Sequence, residues 1–186
     1  MAGTELTMEH RVDDLIQIFK DCFEDTYQTR LVRGDIEPLY RPAQPGQDLH
    51  EIVFAHGFFS SALHEISHWL IAGPQRRLLE DFGYWYEPDG RTAAQQALFE
   101  QVEIKPQATE WILSDAAGYR FQVSTDNLNG EFKDNTEFKH SVYQQVCHYC
   151  EEGLPMRTEI FRNALAAFYD TPRDLCRERF RLADLR

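Results

Sequence analysis

The tightest constraint on this chain is the pentapeptide His64-Glu65-Ile66-Ser67-His68, set inside the stretch ALHEISHWLIA. On an α-helix, residues four apart lie one turn above each other on the same face, so two imidazoles spaced this way can grip one metal ion with a carboxylate beside them. The surroundings favour such a helix. The short apolar run Ile52-Val53-Phe54-Ala55 precedes it and reads as a buried strand. Leu63, Ile66, Trp69 and Leu70 make an apolar stripe, whereas Ser61, His64, His68 and Ala72 fall on a different line. Small residues above and below the histidines leave room for an ion and a ligand. Gly73-Pro74 closes the helix, because Gly suits the left-handed residue past the last turn and Pro cannot continue it. The expected helix runs from Ser60 or Ser61 to Ala72.

The remaining elements follow from hydrophobic spacing. Val12, Leu15, Ile16, Phe19 and Phe23 predict an amphipathic helix over residues 9–24. Residues 29–33 form a short strand ended by Gly34, and residues 36–48, with three prolines and Gly46, read as an irregular loop. Residues 81–91 are aromatic and turn-rich, with Tyr84-Trp85-Tyr86 expected mainly in the core. Thr92 is placed to cap a helix carrying Leu98, Phe99, Val102, Thr109, Ile112, Leu113 and Ala116. Pro106 either kinks that helix or opens a second one. Gly118 ends it, residues 121–123 are extended at best, and residues 126–130 form a loop. Two more helices are expected, over residues 136–152 and around Ile160 to Phe168, with a charged, frayed tail after Pro172. The fold class is therefore α+β: one compact catalytic domain over residues 1–186, mostly helical with a small sheet, its core about residues 9–170 and the tail after 171 peripheral.

Composition narrows the function. The chain has 186 residues, is 42% hydrophobic and has a formal charge of −12, ordinary for a globular protein and adverse to a large phosphate-binding surface. Nucleic acid is thus not an expected partner. No run reaches the length of a membrane span, and the first residues lack the basic-then-apolar order of a signal peptide, so a cytoplasmic protein is expected. Cys147 and Cys150 form a C-x-x-C without the second pair a zinc site would want. With Tyr149 they sit in a helical apolar pattern and read as buried, reduced thiols; Cys22 and Cys176 are the other two cysteines.

A metal on two histidines needs a third ligand, leaving positions open for substrate or water. Candidates are His56, Asp81, Glu100, Glu103 and Glu110. Glu103 is favoured, because it borders the apolar stripe just before Pro106 and can reach inward. Two chemistries remain open. With zinc, Glu65 is the general base of a hydrolase; with iron(II), two histidines and one carboxylate form the facial triad of non-haem oxygenases. A non-catalytic, metal-stabilised adaptor is a third reading.

The stretches EIVFAHGFFSSALHEISHWLIAG, DFGYWYEPDGR, FEQVEIKPQA and STDNLNG, in that order, resemble the bacterial elongation factor P hydroxylase family. The resemblance runs from the first helix to about Tyr169 and is weak in the first residues and the tail. It implies a protein-modifying monooxygenase that hydroxylates the β-lysylated lysine of elongation factor P, with Fe(II) and dioxygen as cofactors, zinc or another divalent metal being possible in purified protein. It carries the ligand set onto His64, His68 and Glu103. It also implies a zincin-like metal-binding helix, and leaves the electron donor open. In this reading Glu65 acts beside the metal, orienting a ligand or holding a water. Asp81, Tyr84 and Tyr86 are the candidates for binding a long cationic side chain, through charge and ring faces.

Overall fold

A computed structural model describes residues 9–80, 92–124 and 135–185. Helix α1 (Val12–Tyr27) buries Val12, Leu15, Ile18, Phe19 and Phe23. It is followed by strands β1 (Thr29–Arg33), β2 (Leu39–Arg41) and β3 (His50–Phe54). The strand order is β1-β3-β2, with β1 parallel and β2 antiparallel to the central β3. Strand β2 is a departure from the expected loop. Its three residues lie between Pro38 and Pro42 on a sheet edge, the one place in a sheet where flanking prolines cost no ladder bond. Gly34 ends β1 because the chain there runs against β3: an added Cβ would stand 2.4 Å from Val53 Cγ1.

The turn after β3 aims the next helix. His56 and Gly57 both take left-handed backbone angles, φ 55° and 68°, and reverse the chain in two residues. Helix α2 (Phe59–Ile71) follows and carries both histidines. Its buried face, Ala62, Leu63, Ile66, Trp69 and Leu70, packs into a cluster shared with α1, the sheet and α5 (Met156–Phe168). Trp69 anchors it, in contact with Phe19 and Phe23 at 5.1 and 5.0 Å between ring centroids.

Helix α3 (Ala93–Ala116) opens with a capping box: the Thr92 hydroxyl accepts from the Gln95 backbone, and the Gln95 side chain accepts from the Thr92 backbone N–H. It runs unbroken through Pro106, so the two alternatives for this region resolve to one helix, in which Pro106 has no N–H to offer the carbonyl four residues back. Its last turns join the first cluster through Leu113 and Ala116, while Ala108, Trp111 and Ile112 form a second with α4 (Thr136–Glu152).

The tail packs instead of fraying. Phe180 and Leu185 are buried in the second cluster, held by two short 3-10 turns, Arg177–Arg179 and Leu182–Asp184. The buried Arg162 donates to the carbonyls of Arg173 and Asp174 at 2.5 and 2.6 Å, pinning the start of this segment. Arg179 pairs with Asp115. All four cysteines are free and half-buried, so Cys147 and Cys150 are more open than expected. Among the described residues, no helix is long and apolar enough to cross a membrane.

Candidate metal centre

Helices α2 and α3 face each other, and polar residues meet at their contact. His64 and His68, one turn apart on α2, bring their Nε2 atoms to 3.1 Å. Glu103 reaches across from α3, with Oε1 3.2 Å from His68 Nε2 and Oε2 3.7 Å from His64 Nε2. One ligand atom from each of the three lies within 4.8 Å of the others. The other proposed third ligands fall elsewhere. His56 lines the adjoining cleft, Glu100 accepts from Gln96 at 3.1 Å, and Asp81 lies outside the described residues, as do Tyr84 and Tyr86. Glu110 turns to the back of a histidine, its Oε2 2.8 Å from His64 Nδ1.

That contact sets the chemistry of His64. A carboxylate accepts, so Nδ1 carries the proton it donates, and the Nε2 lone pair is left facing His68 and Glu103. Burial alone would lower the His64 pKa, but Glu110, Glu103 and Glu65 outweigh it and carry the pKa well above the ordinary value. Burial likewise pushes Glu103 up, yet His68 and His64 prevail and bring it down to about 2. Burial raises Glu65 and Glu110 against the pull of the same histidines.

The arrangement fits a divalent cation. The two Nε2 atoms stand 3.1 Å apart, so both can face a single ion when each presents its lone pair. Glu103 is 2% exposed, and its Oε2 has no hydrogen-bond partner, a costly state for a buried carboxylate oxygen. Three carboxylates, Glu65, Glu103 and Glu110, surround two histidines, an excess of negative charge that a bound cation would balance. Two nitrogens and one carboxylate suit zinc, iron or another first-row metal, and leave coordination positions unfilled.

Two clefts open onto the group. One, of about 480 Å³, has largely apolar walls that include Trp69, Ile71, Leu98 and Val102. The other, of about 550 Å³, is more polar and includes Ser60, Ser61, Gln122 and Ser124. Ser61 lines the polar cleft and Ala72 the apolar one, so the small residues flanking the histidines do make room on both sides.

These residues lie in a chain whose residues 18–180 match the model of the elongation factor P hydroxylase family. The chain belongs to that family. Elongation factor P lysine hydroxylase of Haemophilus influenzae is 58% identical over 168 residues, covering 90% of this chain and 94% of that protein. The match spans α2, α3 and the segment between them, so the helices that carry the His-His-Glu group lie inside the matched region.

Two features escaped the sequence reading. Gln107 donates to the Ser124 carbonyl at 2.6 Å and accepts from the Ser124 N–H at 3.1 Å, tying the extended segment after α3 to the polar cleft. Arg77, just past the end of α2, is half-buried. Its guanidinium lies 5.3 Å from the Tyr27 ring centroid, and that of Arg157 lies 4.5 Å from Trp69, so both stack on the aromatic base of α2. A signal for Gln107 was present: Gln96, Glu103 and Glu110 recur every seven residues with Gln107 between them, a polar stripe along one face of a helix.

Proposed function

We propose that this chain hydroxylates elongation factor P on the lysine that already carries a β-lysyl group, in the cytoplasm, with iron(II) held by His64, His68 and Glu103. The observation that carries this reading is the buried His-His-Glu group in a chain of the hydroxylase family. Bound iron(II) would supply the reductive use of dioxygen: one oxygen atom replaces a C–H hydrogen as C–OH, and the other leaves as water with two electrons and two protons from an external donor. Glu110 holds His64 in the tautomer that presents Nε2.

Glu65 borders both clefts beside the metal group, where its carboxylate can hold a water or a substrate ammonium group. In a zinc hydrolase the same residue would be the general base, and family membership weighs against that role. Asp81, Tyr84 and Tyr86, inside the family match, suit a cationic side chain by charge and ring face.

The test is mass spectrometry of β-lysylated elongation factor P incubated with this protein, iron(II) and a reductant. Gain of one oxygen on the modified lysine is the expected result. No gain, together with cleavage of a peptide or RNA substrate, would return the hydrolase reading.

A further inference from the structure

Glu65, His68 and Glu103 line both clefts, so the metal group stands at a waist between two openings and not at the bottom of one. A closed pocket suits reaction at the tip of a side chain. A waist suits reaction along the middle of a long one, because the part beyond the reacting carbon needs space of its own.

The two sides differ in chemistry. Leu98 and Val102, on α3 in the apolar cleft, are 54% and 50% exposed, large apolar groups left open to water beside the site. The charged residues on that side away from the metal group, among those described, are Arg76 and Arg77, of the wrong sign for an ammonium group. The polar cleft offers oxygens from Ser60, Ser61 and Gln122, with the Glu110 carboxylate among its lining. Its arginine, Arg120, is exposed, as is Arg76 on the apolar side, so the two sides differ in the half-buried Arg77 and in their acceptor oxygens. Methylenes gain by lying on apolar surface, and ammonium groups require acceptors.

Resting on the reading above that the substrate is β-lysylated lysine, we propose that its side chain threads the waist. The methylene stem lies along Leu98 and Val102 in the apolar cleft. The cationic β-lysyl end passes His68 and Glu103 into the polar cleft, where Ser60, Ser61, Gln122 and Glu110 receive it. The polar cleft is then what recognises the β-lysyl group, and the apolar cleft recognises any lysine presented on the protein.

The experiment compares Ser60→Trp, at the polar mouth, with Val102→Arg, at the apolar mouth. Each protein is loaded with iron(II) under anaerobic conditions, and its metal content is checked against the wild type. Affinity is measured for elongation factor P in its unmodified and β-lysylated forms. Ser60→Trp is expected to weaken the β-lysylated form by about tenfold or more and to leave the unmodified form as it was. Val102→Arg is expected to weaken both forms by a similar factor. Should Ser60→Trp misfold or lose metal, Gln122→Trp, in the segment after α3 that lines the same cleft, gives the same reading. An unchanged preference in the polar-cleft variant overturns the threading, as does a Val102→Arg effect confined to the β-lysylated form. Failure of the wild type to hydroxylate β-lysylated elongation factor P would instead sink the substrate reading itself.

Discussion

His64 Nδ1 and Glu110 Oε2 are 2.8 Å apart, and Glu110 stands seven residues beyond Glu103 on α3. Seven residues are two turns, so one helix face presents two carboxylates: one at the front of the histidine pair and one behind His64. Replacing Glu110 by Ala leaves Nδ1–H without its acceptor and frees the ring to turn. Losing such an orienting partner typically costs ~10–100-fold in metal affinity. Glu110→Ala is expected to fall in that range and Glu110→Gln, which keeps an acceptor oxygen, nearer the wild type. Competition against a chelator measures both; wild-type affinity in Glu110→Ala would remove the orienting role.

Glu103 makes a different prediction, because its carboxylate closes the His-His-Glu group from the side of α3. A ligand bound only by the folded state stabilises it by about 2.7 kcal/mol at a hundred times its Kd. Added divalent metal should therefore raise the unfolding temperature of the wild type. Glu103→Ala, and likewise His68→Ala, should keep a folded chain but lose that increment together with hydroxylation. Calorimetry with and without metal checks it. A metal-dependent increment that survives Glu103→Ala would place the third ligand elsewhere.

How far the sequence carried the reading differs by element. Helix α2 was legible because its stripe and histidine spacing agree and it stops before Gly73-Pro74, though on an extended Ala72 and without the left-handed Gly73 expected, and β1 and α4 because of their apolar patterns. Strand β2 was hidden: three residues between prolines carry too little pattern, and only pairing with β3 makes them a strand. Spacing alone also left Glu103 and Glu110 both eligible as third ligand. Which one meets the Nε2 face of the histidine pair depends on how far each lies along α3 from the contact with α2, a tertiary quantity. The tail misled for a related reason, since its many charges mask two isolated apolar residues, Phe180 and Leu185, whose burial depends on the groove beside α4.

The cysteines give a chemical test. Burial, with Asp21 adding to it, pushes the Cys22 thiol up to about 11; burial, with Cys147 and Cys176, does the same for Cys150. A thiol at that value is only ~0.1% thiolate at pH 8, and the thiolate is the reactive species. Raising the pH toward 11 therefore increases reactivity, by close to tenfold per unit. Iodoacetamide labelling of the native protein, read by peptide mapping, should show Cys22 and Cys150 reacting far more slowly than free cysteine at pH 8 and accelerating with that slope. Rapid labelling of Cys150 at pH 7 would instead mark the C-x-x-C as a redox pair.

Phe180 tests whether the tail belongs to the fold. It is 2% exposed and meets the Trp111 ring edge-on at 5.3 Å, next in sequence to Glu110. Removing a buried Phe side chain costs ~3–5 kcal/mol where the surroundings cannot collapse. Phe180→Ala is expected at the lower end, about 3 kcal/mol by urea denaturation, because a tail residue leaves a site that can partly close. Trp111 packs toward α4 and the tail while Glu110 reaches α2, so the loss should fall on stability. The folded variant should hold metal within about threefold of the wild type. A cost under ~0.5 kcal/mol, the range of ordinary surface changes, would make the tail peripheral after all.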